Sequence, residues 1–161
     1  MTLVFNASPL IVLAKARLLD LFITLGSPAL VPQAVVDEVI RVDHPDDPAR
    51  LWFQSPPAPV QIVPSPSPTS FLAAWDLGEG ESAVISVAHR EPDSVAILDD
   101  LAARRCAHAH GIKVMGTIGL VLLAKQNALI PEVTQSLEAI VAAGLFIAPH
   151  HLVAIRSHAG E

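Results

Sequence analysis

The sequence predicts an α/β fold, with a mostly parallel sheet and helices packed on both of its faces. Two observations predict it. Short β-rich runs alternate with helical segments along the chain, the pattern that parallel sheets require. Hydrophobic residues make up 52% of the chain and charged residues 16%, which fits a sheet covered on both sides and excludes a disordered chain. The length, 161 residues, suggests one domain, able to bury roughly two-thirds of the surface its unfolded chain exposes.

Thr2 to Phe5 reads as a buried first strand. Ser8 and Pro9 signal a helix start, serine as cap and proline at the first helical position. Apolar positions continue through Leu13 and, in a second helical stretch, through Phe22 to a stop at Gly26. Ala29 to Val31 reads as a short strand, and Pro32 opens a helix to about Val42. Eight of the fourteen prolines then fall between Pro45 and Pro68. Proline removes a backbone donor and fixes φ, so this stretch reads as loop, with one short strand at Val60 to Val63. Glu79 to His89 reads as a helix and Ser94 to Leu98 as a strand. Asp99 or Asp100 caps a helix to about His110, which Gly111 ends. Ile112 to Met115 is the next strand, followed by helices from Thr117 to Gln126 and from Pro131 to Gly144. Leu145 to Ile147 reads as a last edge strand, and His151 to Arg156 as a final helical turn.

Composition narrows the function. Ten basic and sixteen acidic residues give a net charge of -6, so a nucleic-acid ligand needs a local basic patch. The single cysteine, Cys106, excludes a disulfide within the chain and a cysteine zinc site. No run reads as a membrane helix, and the start lacks the basic residues of a signal peptide, which predicts a soluble cytoplasmic protein. There is no Gly-x-Ser-x-Gly elbow, no phosphate loop and no tyrosine, hence no evident stacking platform for bases.

In parallel sheets the site lies at the carboxyl ends of the strands. Asn6 follows the first strand there, and Asp99 and Asp100 follow the strand that begins at Ser94. Glu38 and Glu81 lie on helices that bring them near. Carboxylates gathered at one end of a sheet repel unless a cation stands between them, and such oxygen ligands suit Mg²⁺ or Mn²⁺ rather than zinc. Each residue also has a plain structural reading. Either aspartate caps a helix, Glu79 and Glu81 sit where a helix dipole favours acids, Glu38 is a solvated position, and Asn6 forms an Asx turn.

Five motifs in order resemble the PIN domain, in particular a toxin-like prokaryotic branch. They are Val4-Phe5-Asn6-Ala7-Ser8-Pro9-Leu10-Ile11; Val31-Pro32 with Val36-Asp37-Glu38-Val39; Leu77-Gly78-Glu79-Gly80-Glu81-Ser82; Ile97-Leu98-Asp99-Asp100 with Ala103-Arg104; and Gly116-Thr117-Ile118-Gly119 with Leu122-Leu123-Ala124-Lys125. The resemblance implies a three-layer α/β/α sandwich around a mostly parallel five-stranded sheet, as one domain over 1–161 with a proline-rich loop at about 43–70. It also implies a Mg²⁺- or Mn²⁺-dependent endoribonuclease, the toxin of a toxin–antitoxin pair. Its acidic positions fall on Asn6, Glu38, Glu81 and Asp99 or Asp100. Typical members carry aspartate where this chain has Asn6, while the toxin-like branch often has asparagine, and a related sequence often has another glutamate where this chain has Ala83. The amide removes a charge and a proton acceptor, so weak or absent cleavage is expected. Arg104, Arg105, Lys113 and Lys125 are the candidate basic patch for RNA. The alternative is a catalytically weakened PIN-fold binding module for RNA or a small antitoxin-like protein. The apolar composition also suggests a homodimer.

Overall fold

The computed structural model describes residues 1–25, 28–41 and 45–161. Five strands form one parallel sheet: β1 (Thr2–Phe5), β2 (Ala29–Pro32), β3 (Val60–Val63), β4 (Ser94–Ile97) and β5 (Lys113–Met115). Their order across the sheet is β3-β2-β1-β4-β5. Successive strand residues point to opposite faces. Every residue of β2 and β4, and Leu3, Val4 and Phe5 of β1, is buried, so both faces of the central strands are covered. Leu3, Phe5, Leu10, Leu13, Phe22, Ile85, Ile97 and Leu120 are among the side chains wholly withdrawn from water. Each such burial is worth about 1.5–3 kcal/mol.

The helices are α1 (Ala7–Lys15), α2 (Leu19–Ile23), α3 (Gln33–Ile40), α4 (Pro48–Trp52), α5 (Glu79–Arg90), α6 (Leu101–Ala109), α7 (Thr117–Gln126), α8 (Val133–Ala142) and α9 (Pro149–His158). Most follow the sequence reading, but four places differ. The cap position of α1 is Asn6, not Ser8, and Pro9 sits inside the first turn, where its missing N–H is one that no helix uses. The proline-rich stretch contains α4. Pro48 opens it, and the Asp47 carboxylate accepts hydrogen bonds from the Ala49 and Arg50 amides. A 3₁₀ turn, Ser70–Ala74, follows later. Leu145 to Ile147 is not a strand. Gly144 closes α8 at φ +112, the Leu145 amide donates to the Ile140 carbonyl, and the segment stays bound to that helix end. The final helix is ten residues rather than one turn. Gly26 and Val42, expected as helix ends, and the start of the proline-rich loop at 43 and 44 lie outside the described residues. Among the described residues no helix is long and apolar enough to cross a membrane.

Candidate active site

From β1 the chain moves outward to β2, and from β4 it moves the other way to β5. The two strands are neighbours, with Phe5 opposite Ile97. A crevice therefore opens at their carboxyl ends, where parallel sheets place ligands.

Asn6 stands at that point. Its amide donates to the Ile97 carbonyl at 3.2 Å, which fixes the backbone. Its side chain occupies a helix-cap position without capping and is 5% exposed. Its Oδ1 is buried with no hydrogen-bond partner among the described residues. Buried carbonyl oxygens are nearly always paired, so this orphan needs an explanation.

Glu38 comes from α3, whose Val35, Val36 and Val39 face the core. The residue keeps contact with solvent, yet its carboxylate is folded over Gly80 in the first turn of α5. A Cβ on Gly80 would lie 2.5 Å from Glu38 Oε2 and 3.3 Å from Asn6 Oδ1. Glycine thus leaves room for both oxygens to approach the helix start. Withdrawal from water raises the Glu38 pKa, the Glu81 charge raises it further, and Arg41 works against both. Glu81 itself accepts a hydrogen bond from the Gly78 amide at 3.1 Å, which secures the start of α5.

The two aspartates divide their work. Asp100 caps α6, accepting from the Ala103 amide at 2.9 Å. Asp99 accepts from the Thr117 amide at 2.8 Å and the Thr117 hydroxyl at 2.6 Å. Thr117 is wholly buried, and Gly116 before it has no side chain to cap α7. Asp99 does that from outside, across eighteen residues of sequence. A Cβ on Gly116 would meet Asp99 Oδ1 at 3.0 Å and Arg104 Nη1 at 2.8 Å. Arg104 Nη1 donates to the Leu98 carbonyl at 3.1 Å. Asp99 and Arg104 line a cavity of about 510 Å³ with Leu101, Met115, Gly116 and Phe146.

The structure thus brings Asn6 and Glu38 together, sets the Glu81 charge beside Glu38, and puts Asp99 at the end of the adjacent strand. No group of three His, Cys, Asp or Glu side chains able to hold a metal ion occurs among the described residues. The four basic residues are spread out. Arg104 is at the crevice and Arg105 is exposed on α6. Lys113 opens β5, at the sheet's amino end, and pairs with Asp93 at 3.4 Å. Lys125 is held by the Pro131 carbonyl and by Glu161 at 3.3 Å. Sequence reasoning did not single out Thr117 or Gly80 for the site. Their signal was the Gly-Thr and Gly-Glu-Gly-Glu motifs, which mark a helix start without showing what it contacts.

No curated protein and no solved structure matches the chain. A family model described as DUF3368, PIN domain, matches residues 2–161. The PIN domain is a nuclease-type fold, and the five-stranded parallel sheet agrees with it. The chain belongs to this family of PIN domains.

Proposed function

We propose that the chain is a metal-dependent endoribonuclease of the PIN type. The observation that carries this reading is that the buried Asn6 Oδ1, without a hydrogen-bond partner among the described residues, and the Glu38 carboxylate both border the space that Gly80 leaves open. Both donors are hard oxygens, and the small cradle that glycine leaves open suits a cation. Mg²⁺ keeps several waters and needs only one or two carboxylates, so a full cage of acids is not required. Asn6, Glu38 and Asp99 would hold the ion, with Glu81 and Asp100 close in sequence to it. Bound there, Mg²⁺ or Mn²⁺ supplies an acidified water as nucleophile and charge for the phosphate.

The chain's own residues do the rest. Thr117 orients Asp99 through two hydrogen bonds. Arg104 stands beside Asp99 with a guanidinium suited to an RNA phosphate. Arg105 adds positive charge on the same helix. The toxin role rests on the likeness of the Val4 to Ile11 opening to the toxin-like branch, and implies a small antitoxin-like partner.

A second reading, a binding module with weakened catalysis, is favoured by the missing charge at Asn6. Calorimetric Mn²⁺ titration with a single-stranded RNA cleavage assay tests both. Glu38→Gln with Asp99→Asn should weaken Mn²⁺ binding by more than roughly tenfold, since even a supporting group costs that much, and should abolish cleavage. Asparagine is chosen at Asp99 because alanine would also strand the two Thr117 donors. Mn²⁺ bound by the natural protein without cleavage would select the binding module. Unchanged Mn²⁺ affinity in the double variant would overturn the metal site.

A further inference from the structure

We propose that Phe146 stacks a nucleobase, so that the cavity beside Asp99 takes one nucleotide of a single-stranded RNA, with its phosphate on Arg104. This rests on the ribonuclease reading and adds where the RNA lies.

Phe146 is 88% exposed, whereas Phe5 and Phe22 are buried and Phe53 and Phe71 half-buried. Leu101, on the same cavity, is 59% exposed. Apolar side chains left in water around a cavity mark a place where something binds. The ring's backbone is also fixed. Gly144 and Leu145 donate to the end of α8, and Ile147, on the other side, is 7% exposed. A ring presented on an anchored segment costs little entropy when a ligand orders it.

The cavity's chemistry chooses the occupant. Its volume of about 510 Å³ lies in the range of small-molecule sites. One wall offers an aromatic face, another a guanidinium. Arg104 spends Nη1 on the Leu98 carbonyl, its one hydrogen bond among the described residues, and a guanidinium has five N–H donors. A nucleotide presents a flat π face and an anion a short distance apart, and meets both walls. An apolar protein segment would cover Phe146 and Leu101 but leave the guanidinium donors of Arg104 that the Leu98 carbonyl does not use without a partner from the occupant. Base–aromatic stacking is tolerant of sequence, so the site reads single-strandedness rather than a particular base.

The test is fluorescence anisotropy with a short labelled oligoadenylate and with an abasic oligomer of equal charge, both with EDTA so that nothing is cleaved. Phe146→Ala should weaken oligoadenylate binding by roughly five- to a hundredfold, leave the abasic oligomer unaffected, and be rescued by Phe146→Trp. Arg104→Gln should weaken both ligands. If the natural protein binds and cleaves RNA and Phe146→Ala changes neither ligand's affinity, the stacking site is wrong and the ribonuclease reading stands. If the natural protein neither binds nor cleaves RNA, both fall. If Phe146→Ala instead splits a dimer or releases a protein partner with RNA affinity intact, the face is a protein interface and the proposal is overturned.

Discussion

Glu38 and Glu161 are the same side chain in opposite circumstances. Glu161 sits at the start of α8. Its carboxylate accepts from the Val133 amide at 2.6 Å, from the Thr134 amide at 3.1 Å and from the Thr134 hydroxyl at 2.8 Å, and pairs with Lys125 at 3.3 Å. It thereby caps α8, which has no cap bond from its own Glu132. Among the described residues Glu38 has no comparable set of donors. It shares its place with the orphan Asn6 Oδ1 and the Glu81 charge, and its pKa goes up where that of Glu161 goes down to about 2. A carboxylate surrounded by donors is holding the fold together. On the proposed function, a carboxylate placed near other oxygens is where a cation would bind.

The largest expected effect deepens the contrast. Asn6→Asp adds a charge to a position that is 5% exposed and already faces Glu38. An uncompensated buried charge costs about 3 kcal/mol, so the metal-free variant should melt well below the natural protein. Added Mn²⁺ should recover much of that loss by binding only the folded state, about 2.7 kcal/mol at a hundredfold excess over its dissociation constant. Thermal melts with and without Mn²⁺ measure both. A variant as stable as the natural protein in EDTA would mean that Asn6 faces water or a donor, and that the crevice is not crowded with oxygens.

Gly80→Ala removes the site while sparing the fold. The added Cβ meets the end of a flexible side chain, Glu38 Oε2, which can swing aside, and stands 3.3 Å from Asn6 Oδ1, which must give by a few tenths of an ångström. Alanine also favours the helix over glycine by roughly 1 kcal/mol, so stability should change by no more than about 1 kcal/mol. Mn²⁺ affinity should fall about tenfold or more, because the displaced carboxylate no longer meets Asn6. Denaturant unfolding alongside calorimetry separates the two. Unaltered Mn²⁺ binding would place any metal away from this cradle.

Much of this was legible in the sequence, for reasons that differ by residue. The strands β1, β2 and β4 are continuous apolar runs because both of their faces are buried, and such runs stand out. The helix from Thr117 to Gln126 appears with the expected bounds, since a Gly-Thr start is a local signal. Proline reads as a breaker, which hides α4, although at a first helical position it is tolerated. The segment from Leu145 to Ile147 has β-rich composition, but the closure of α8 at Gly144 claimed its backbone. Among the candidates, the pairing of Asp99 with Thr117 and the fit of Glu38 over Gly80 join residues 18 and 42 positions apart. No local spacing encodes contacts of that kind; they follow from the order of strands in the sheet.

The smallest effect concerns Glu161 and acid. Partial withdrawal from water tends to raise its pKa, but the hydrogen bonds from Val133, Thr134 and Lys125 outweigh that and hold the group at about 2, against an ordinary 4.5. A carboxyl whose folded pKa is depressed stabilises the fold fully above its unfolded value. That contribution fades as pH falls from about 4.5 and is lost through about 2. Glu38 acts in the opposite sense. Its folded pKa is raised, so acidification relieves a penalty there. The total acid profile mixes the two, and a difference between variants is needed to separate them. Glu161→Gln keeps one acceptor for the α8 amides but loses the second and the attraction to Lys125. It should melt lower than the natural protein at neutral pH, and the gap should close between about pH 4.5 and 2. Repeating the pair in a Glu38→Gln background should leave that gap and its closing range unchanged, since the two groups are perturbed by different residues and independent sites add. A gap that persists undiminished at pH 2 would show that Glu161 supports α8 through shape alone, and the contrast between a satisfied and a waiting carboxylate would lose its electrostatic half.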